Sequence, residues 1–214
     1  MTITWTNREQ RRRTAAVLRV GEGRGFVVKT VESESCNLII TAAHCLPFLP
    51  PAHPASYLQE GTYQRLLGPL GAEPTVWAEC RFVDHVNDIA VLGSPDDQDL
   101  AQEARRYAAL TQAVSPVPIA EAPGRGPGWL LGLDGQWGRC AVQHLGGGLW
   151  ISDAATGIAP GMSGSPILTA EGAAIGVVSV SGGGPDDEMH TEGGPNPRLT
   201  WHLPAGLLAV ILHR

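Results

Sequence analysis

Three short segments of this 214-residue chain carry side chains that can do covalent chemistry. In Thr41-Ala42-Ala43-His44-Cys45 a histidine leaves an apolar run, among small residues that give room to another backbone or a substrate. In Asn87-Asp88-Ile89-Ala90-Val91-Leu92 an aspartate stands at the mouth of an apolar strand. A carboxylate at such a place must find hydrogen-bond donors or it is costly to bury. In Pro160-Gly161-Met162-Ser163-Gly164-Ser165-Pro166-Ile167 a serine lies between glycines, just before another apolar run. Gly161 can adopt backbone angles closed to other residues. Its N–H and that of Ser163 can then converge on one point and receive a developing oxyanion.

Each segment alone has a plain explanation: a core or capping histidine, a turn aspartate like Asp84, a glycine–serine loop. Together they supply what a serine hydroxyl needs to become a nucleophile. Histidine titrates near neutrality and can take the proton, and an aspartate can fix its tautomer and stabilise the imidazolium.

Distant segments can meet only in a packed fold, and the composition supports one. Hydrophobic residues make up 43% and charged residues 17%, against a usual charged share of about 25%. A disordered chain is excluded. The 27 glycines and 17 prolines follow no fixed period, which excludes collagen. Interleaved with Val/Ile/Leu runs, they indicate many short strands joined by tight turns.

Strands are expected at 14–20, from Phe26, and at 38–41, 76–83 and 89–92. A second set is expected at 117–120, 128–133, 139–144, 148–152, 165–169, 173–180 and 199–203, with glycine punctuation at 146–148, 182–184 and 193–194. Residues 47–75 read as a long loop with one helical turn near 63–67. Residues 96–110 read as an amphipathic linker helix with acidic residues in its first turn. The expected division is 1–105 and 106–214, the first half carrying His44 and Asp88, the second Ser163. A terminal helix at 204–213, with Pro204 in its first turn, should dock on the second half. The pattern is all-β, a pair of barrels or sandwiches, and not a series of βαβ units.

The net charge of −6 leaves no basic stripe for nucleic acid, since only Arg11, Arg12 and Arg13 cluster, and these read as a solvated end. No run of 18 apolar residues exists to span a bilayer, and the N-terminus lacks the apolar core of a secretory signal. A cytoplasmic protein is expected. Cys36, Cys45, Cys80 and Cys140 form no CxxC pair, so no metal is expected and the thiols should be free and buried. Spacing alone would also permit a Cys36–Cys45 bridge.

TAAHC, DIAVL and GMSGSP resemble the signature blocks of the chymotrypsin-like (trypsin-like) serine peptidases. Gly23-Arg24-Gly25-Phe26 resembles the GxGF strand of their bacterial branch, which includes the HtrA-type proteases. The resemblance covers residues 14–184, in the family's chain order His, Asp, Ser. It implies two six-stranded antiparallel β-barrels with the site in the cleft between them. It also implies a serine endopeptidase without cofactor, with His44 as base, Asp88 orienting it, Ser163 as nucleophile, and Gly161 and Ser163 as oxyanion donors. Ser179 matches a serine that bonds the aspartate. Val180 and Ser181, with Gly182, match the backbone that pairs with an extended substrate. Met162 stands where zymogen members carry an aspartate that pairs with a newly cut N-terminus, so activation by trimming is not expected.

By the same resemblance Gly157, followed by Ile158 and Ala159, aligns with the specificity-pocket floor. It implies a small or apolar substrate side chain there, unless Asp153 or residues 186–188 supply a negative charge. The expected partner is a protein or peptide substrate, with a regulatory protein partner also open, and neither nucleic acid nor membrane. Two other readings compete. An α/β-hydrolase esterase needs GxSxG and the order Ser, Asp, His. Here Ser165 replaces the second glycine and, although Asp186, His190 and His202 follow, no strand–helix alternation exists. A protease-like binding module, inactive or active only with a partner, runs against the intact His44, Asp88 and Ser163 set.

Overall fold

A computed structural model describes residues 5–30, 37–50, 61–179 and 190–212. Cys36, Val180, Ser181 and residues 186–188 lie outside the described residues, as do parts of the two long loops.

The first half is a closed barrel of β1 (Val17–Val20), β2 (Gly23–Val28), β3 (Leu38–Thr41), β4 (Thr62–Pro69), β5 (Val76–Asp84) and β6 (Ile89–Gly93), in the order β1-β2-β3-β6-β5-β4. Every residue of β2, β3 and β6 is buried, which is why residues 26–28, 38–40 and 89–92 read as apolar stretches without polar alternation. Phe26, Ile39, Ile40, Leu67 and Leu92 are fully buried on the barrel's two faces.

The second half is a six-stranded sheet of β7 (Arg125–Leu131), β8 (Trp137–Leu145), β9 (Gly148–Ser152), β10 (Pro166–Thr169), β11 (Ala174–Val177) and β12 (Gly193–Asn196), in the order β11-β10-β7-β8-β9-β12. A single bridge between Gly176 and Arg198, with the Val177 N–H donating to the Pro197 carbonyl at 3.2 Å, draws the two ends of this sheet together. The expected pair of six-stranded barrels is therefore present, the first fully closed and the second barrel-like.

Four helices complete the described fold: α1 (Asn7–Ala15), α2 (Ala101–Gln112), α3 (Leu199–His202) and α4 (Ala205–Leu212). The expected linker helix is α2, and the 105/106 division falls inside it. It packs on β5, and its buried Tyr107 donates its hydroxyl to the Asn37 and Leu92 carbonyls, so it belongs with the first barrel.

Several expectations are corrected. Residues 62–69 form β4 and not a loop or helical turn. Arg65 takes φ +50° and the register shifts between Tyr63 and Leu67, a bulge that hides the period-two pattern. Residues 117–120 form no strand, only a bridge from Ile119 to Ala174. Residues 193–196 are a strand despite their glycines. Residues 199–202 are helical, started by the Arg198 N–H donating to His202 Nδ1 at 2.8 Å and ended before Pro204. On α4, Leu207, Leu208 and Ile211 pack against the larger core cluster, which joins the first barrel to Leu168, Ala174, Val177, Leu199 and Leu203 of the second half.

Arg11 and Arg12 are exposed, as expected of a solvated end, but Trp5 and Arg13 of the same segment are docked. Thr6 and Glu9 form a capping box: the Glu9 N–H donates to Thr6 Oγ1, and the Thr6 N–H donates to Glu9 Oε2. Just before α1, Trp5 stacks on Trp129 at 4.5 Å, meets Trp137 edge-on at 5.5 Å, and donates its indole N–H to the Ala170 carbonyl. Arg13 lies over the Trp5 ring and donates to the Glu171 carbonyl. The segment that leads into the first barrel is thus fastened to the second.

Trp5 is only 4% exposed. Trp5→Ala should therefore lower unfolding stability by about 3 kcal/mol in a urea titration, with Trp5→Phe in between. An unchanged midpoint would show that the clasp contributes nothing.

Candidate active site

His44 sits in a single 3-10 turn, Ala43–Cys45, directly after β3. Ala42 and Ala43 are buried, so the turn lies tight against the barrel while the imidazole stays half-exposed. Asp88 opens β6 from the opposite side with φ +52°, a left-handed conformation that aspartate tolerates better than most residues. Asp84 builds that turn: its carboxylate accepts the N–H groups of Val86 and Asn87 and the Asn87 side-chain amide.

The two residues meet in two bonds. His44 Nδ1 lies 2.6 Å from Asp88 Oδ2, and the His44 backbone N–H donates to Asp88 Oδ1 at 2.9 Å. Ser179 Oγ donates to Asp88 Oδ2 as well. Ser179 is itself held by its N–H, which donates to the side-chain carbonyl of buried Asn196 at 2.9 Å. A cavity of about 280 Å³ borders Asp88, Ser179, Asn196 and His202.

Electrostatics follow from these contacts. The hydrogen bond to Asp88 raises the His44 pKa above its ordinary value; burial opposes this, and the charge of Asp88 adds to it. For Asp88 the largest single effect is burial, which pushes its pKa up. The bonds from the His44 ring, from Ser179 and from the His44 N–H together outweigh it and hold the carboxyl below the usual range.

Ser163 sits on the turn before β10. Gly161 and Gly164 on either side take φ +89° and +83°. Gly164 is required twice over, because a Cβ there would also fall 1.7 Å from the Arg24 carbonyl oxygen. Met162 is buried in the core of the second sheet and anchors the turn. The turn is also tied across the seam between the barrels: the Arg24 N–H donates to the Ser163 carbonyl at 2.7 Å. The Gly164 N–H donates to the Val178 carbonyl at 2.7 Å, within the second half. Among the described residues, the N–H groups of Gly161 and Ser163 have no hydrogen-bond partner, and the Ser163 hydroxyl makes no hydrogen bond to the His44 ring. In free enzymes a catalytic bond of that kind is often long and tightens only around substrate.

Of the other residues singled out in the sequence, Ile158 places its side chain in the core of the second sheet. Its N–H and carbonyl are both paired with His190, at 2.6 and 3.0 Å. Gly157 takes φ +65° in the turn just before it, and Asp153 is exposed. Arg24, Thr41 and Asn196 were not singled out as site residues. Their partners are mostly backbone groups far along the chain, which leave no local sequence pattern.

The family model of the trypsin-like peptidase domain matches residues 23–177. The fold is similar to that of a serine endoprotease from Yersinia pestis, with a TM-score of 0.56 at 18% identity, over 91% of this chain and 63% of that one. The chain thus spans less than two-thirds of that relative, and at this identity the likeness is one of chymotrypsin-like fold. No curated protein matches the sequence.

The charge pair gives a signed pH prediction. With its pKa raised, His44 adds stability that is full below its unfolded-state pKa and is lost as pH rises through the folded value. With its pKa lowered, Asp88 adds stability that is present above its unfolded-state value and is lost as pH falls through the folded one. Asp88→Asn should move the His44 titration midpoint, followed by NMR, to lower pH. An unmoved midpoint would mean that the carboxylate does not set it.

Proposed function

The chain belongs to the trypsin-like peptidase family, whose members are serine-type endopeptidases, and from that premise we propose that Ser163, His44 and Asp88 carry out hydrolysis of a peptide bond. The observation that carries this reading is the doubly bonded His44–Asp88 pair, with the Ser163 turn tied across the same seam.

The chemistry runs in two halves. His44 Nε2 takes the proton of Ser163 Oγ as the oxygen bonds to the substrate carbonyl carbon. The charge that develops on the carbonyl oxygen is received by the N–H groups of Gly161 and Ser163, which carry no other partner among the described residues. Asp88 stabilises the imidazolium, which then gives its proton to the leaving amine. Water repeats the sequence on the acyl-enzyme, with His44 as base, and releases the acid. Only the neutral imidazole accepts a proton, so the rate should rise with pH through the raised His44 pKa.

The reading extends to a specific protein substrate within a reducing compartment. Cys45, Cys80 and Cys140 are free. Burial pushes their pKa values up to about 11, 11 and 12, which supports thiols that are inert packing groups. Activation independent of a free N-terminus is supported by Met162, whose buried thioether has no charge to offer an ammonium group.

A digest of a peptide library tests activity and side-chain preference together. Ser163→Ala and His44→Ala should each cost about 1,000-fold or more in kcat. Cleavage surviving in Ser163→Ala would remove the nucleophile, and full turnover in His44→Ala the base. Fusion of extra residues ahead of Met1 should leave the rate unchanged; a dead fusion restored by trimming would overturn that part.

A further inference from the structure

Arg24 is the charged residue of β2, and it is 7% exposed. A guanidinium this deep is ordinarily paired with a carboxylate. Here its hydrogen bonds go instead to neutral oxygens of the second half. Nη1 donates to the Leu131 carbonyl at 2.7 Å and to Ser165 Oγ at 3.4 Å, and Nη2 donates to the Gly132 carbonyl at 3.1 Å. Asp134, in the same β7–β8 turn, adds attraction from farther off.

The backbone of the same residue faces the site. Its N–H holds the Ser163 carbonyl, and its own carbonyl accepts the Thr41 hydroxyl at 2.6 Å. Thr41 ends the strand that leads to His44. At the other end, Leu133 follows Gly132 and places a methyl group 3.7 Å from the Cβ position of Gly161. One residue therefore touches the strand that delivers the base, the nucleophile turn, and the hairpin end beside the oxyanion turn.

From this arrangement we propose that Arg24 is a positioning residue for the reaction: its guanidinium clamps the end of β7 and Ser165 to β2, and so fixes Ser163 and Gly161 relative to His44. The inference rests on the reading of Ser163 as nucleophile. Without the guanidinium, the Leu131 and Gly132 carbonyls lose a buried donor and the turn can shift. A displacement of about 1 Å at a reacting group costs about 100-fold in rate. Binding of an extended substrate uses other backbone groups, so the loss falls on kcat.

The test compares wild type, Arg24→Met, Arg24→Lys and Ser163→Ala on one cleavable peptide, with thermal melting of each. Arg24→Met keeps an unbranched apolar stem and removes every side-chain donor. The expected result is a fall in kcat of about 10- to 100-fold in the folded protein, with KM within about 3-fold, and partial recovery in Arg24→Lys. A purely architectural arginine would lower the melting temperature and leave kcat per folded molecule at the wild-type value, which overturns the proposal. If Arg24→Met does not fold, Arg24→Lys decides: a lowered kcat at constant KM supports the clamp, and wild-type kcat overturns it. Activity persisting in Ser163→Ala would reject the nucleophile itself, an outcome distinct from failure of the clamp.

Discussion

A single backbone bond, from the Arg24 N–H to the Ser163 carbonyl, spans the seam between the two barrels at the candidate site. The two halves of the site come from different barrels. His44 and Asp88 are fixed within the first, and the Ser163 turn belongs to the second. Nothing internal to either barrel sets the distance between them. The seam does, and its closeness is visible at Gly164, where even one methyl group would collide with the Arg24 carbonyl. The Trp5 clasp holds the same two halves together from the N-terminal side.

Within the first barrel the proposed chemistry depends on a carboxylate kept charged while partly buried. Burial alone would favour the neutral acid, which could not raise the pKa of a base. Asp88 escapes this because three donors converge on it, two from His44 and one from Ser179. The Ser179 donor comes from the second half, so the ionisation of Asp88 also depends on the seam. Arrangement and electrostatics are one constraint seen from two sides.

The sequence exposes the candidate site better than its supports. His44, Asp88 and Ser163 each lie in a short local pattern of small residues, apolar strand and glycine, because a tight turn and a buried strand have strict residue requirements. Asn196 and the side chain of Arg24 act mostly through partners 17 to 141 residues away, chiefly backbone groups, which any residue type supplies. In the fold, β3, β6 and the second half of β2, from Phe26, are legible as apolar runs. β4 is not, because its bulge at Arg65 breaks the alternation, and β12 is not, because its glycines resemble a turn. The capping box at Thr6 and Glu9 is readable in hindsight; its helix is hidden by a polar, arginine-rich surface.

The central claim is that His44 activates Ser163. Covalent labelling with a fluorophosphonate, followed by peptide mapping, reads that relation directly. The account predicts a single adduct on Ser163 in the wild-type protein, formed faster as pH rises through the His44 titration, and almost none in His44→Ala. An adduct on another residue, or equal labelling of Ser163 with and without the imidazole, would contradict it.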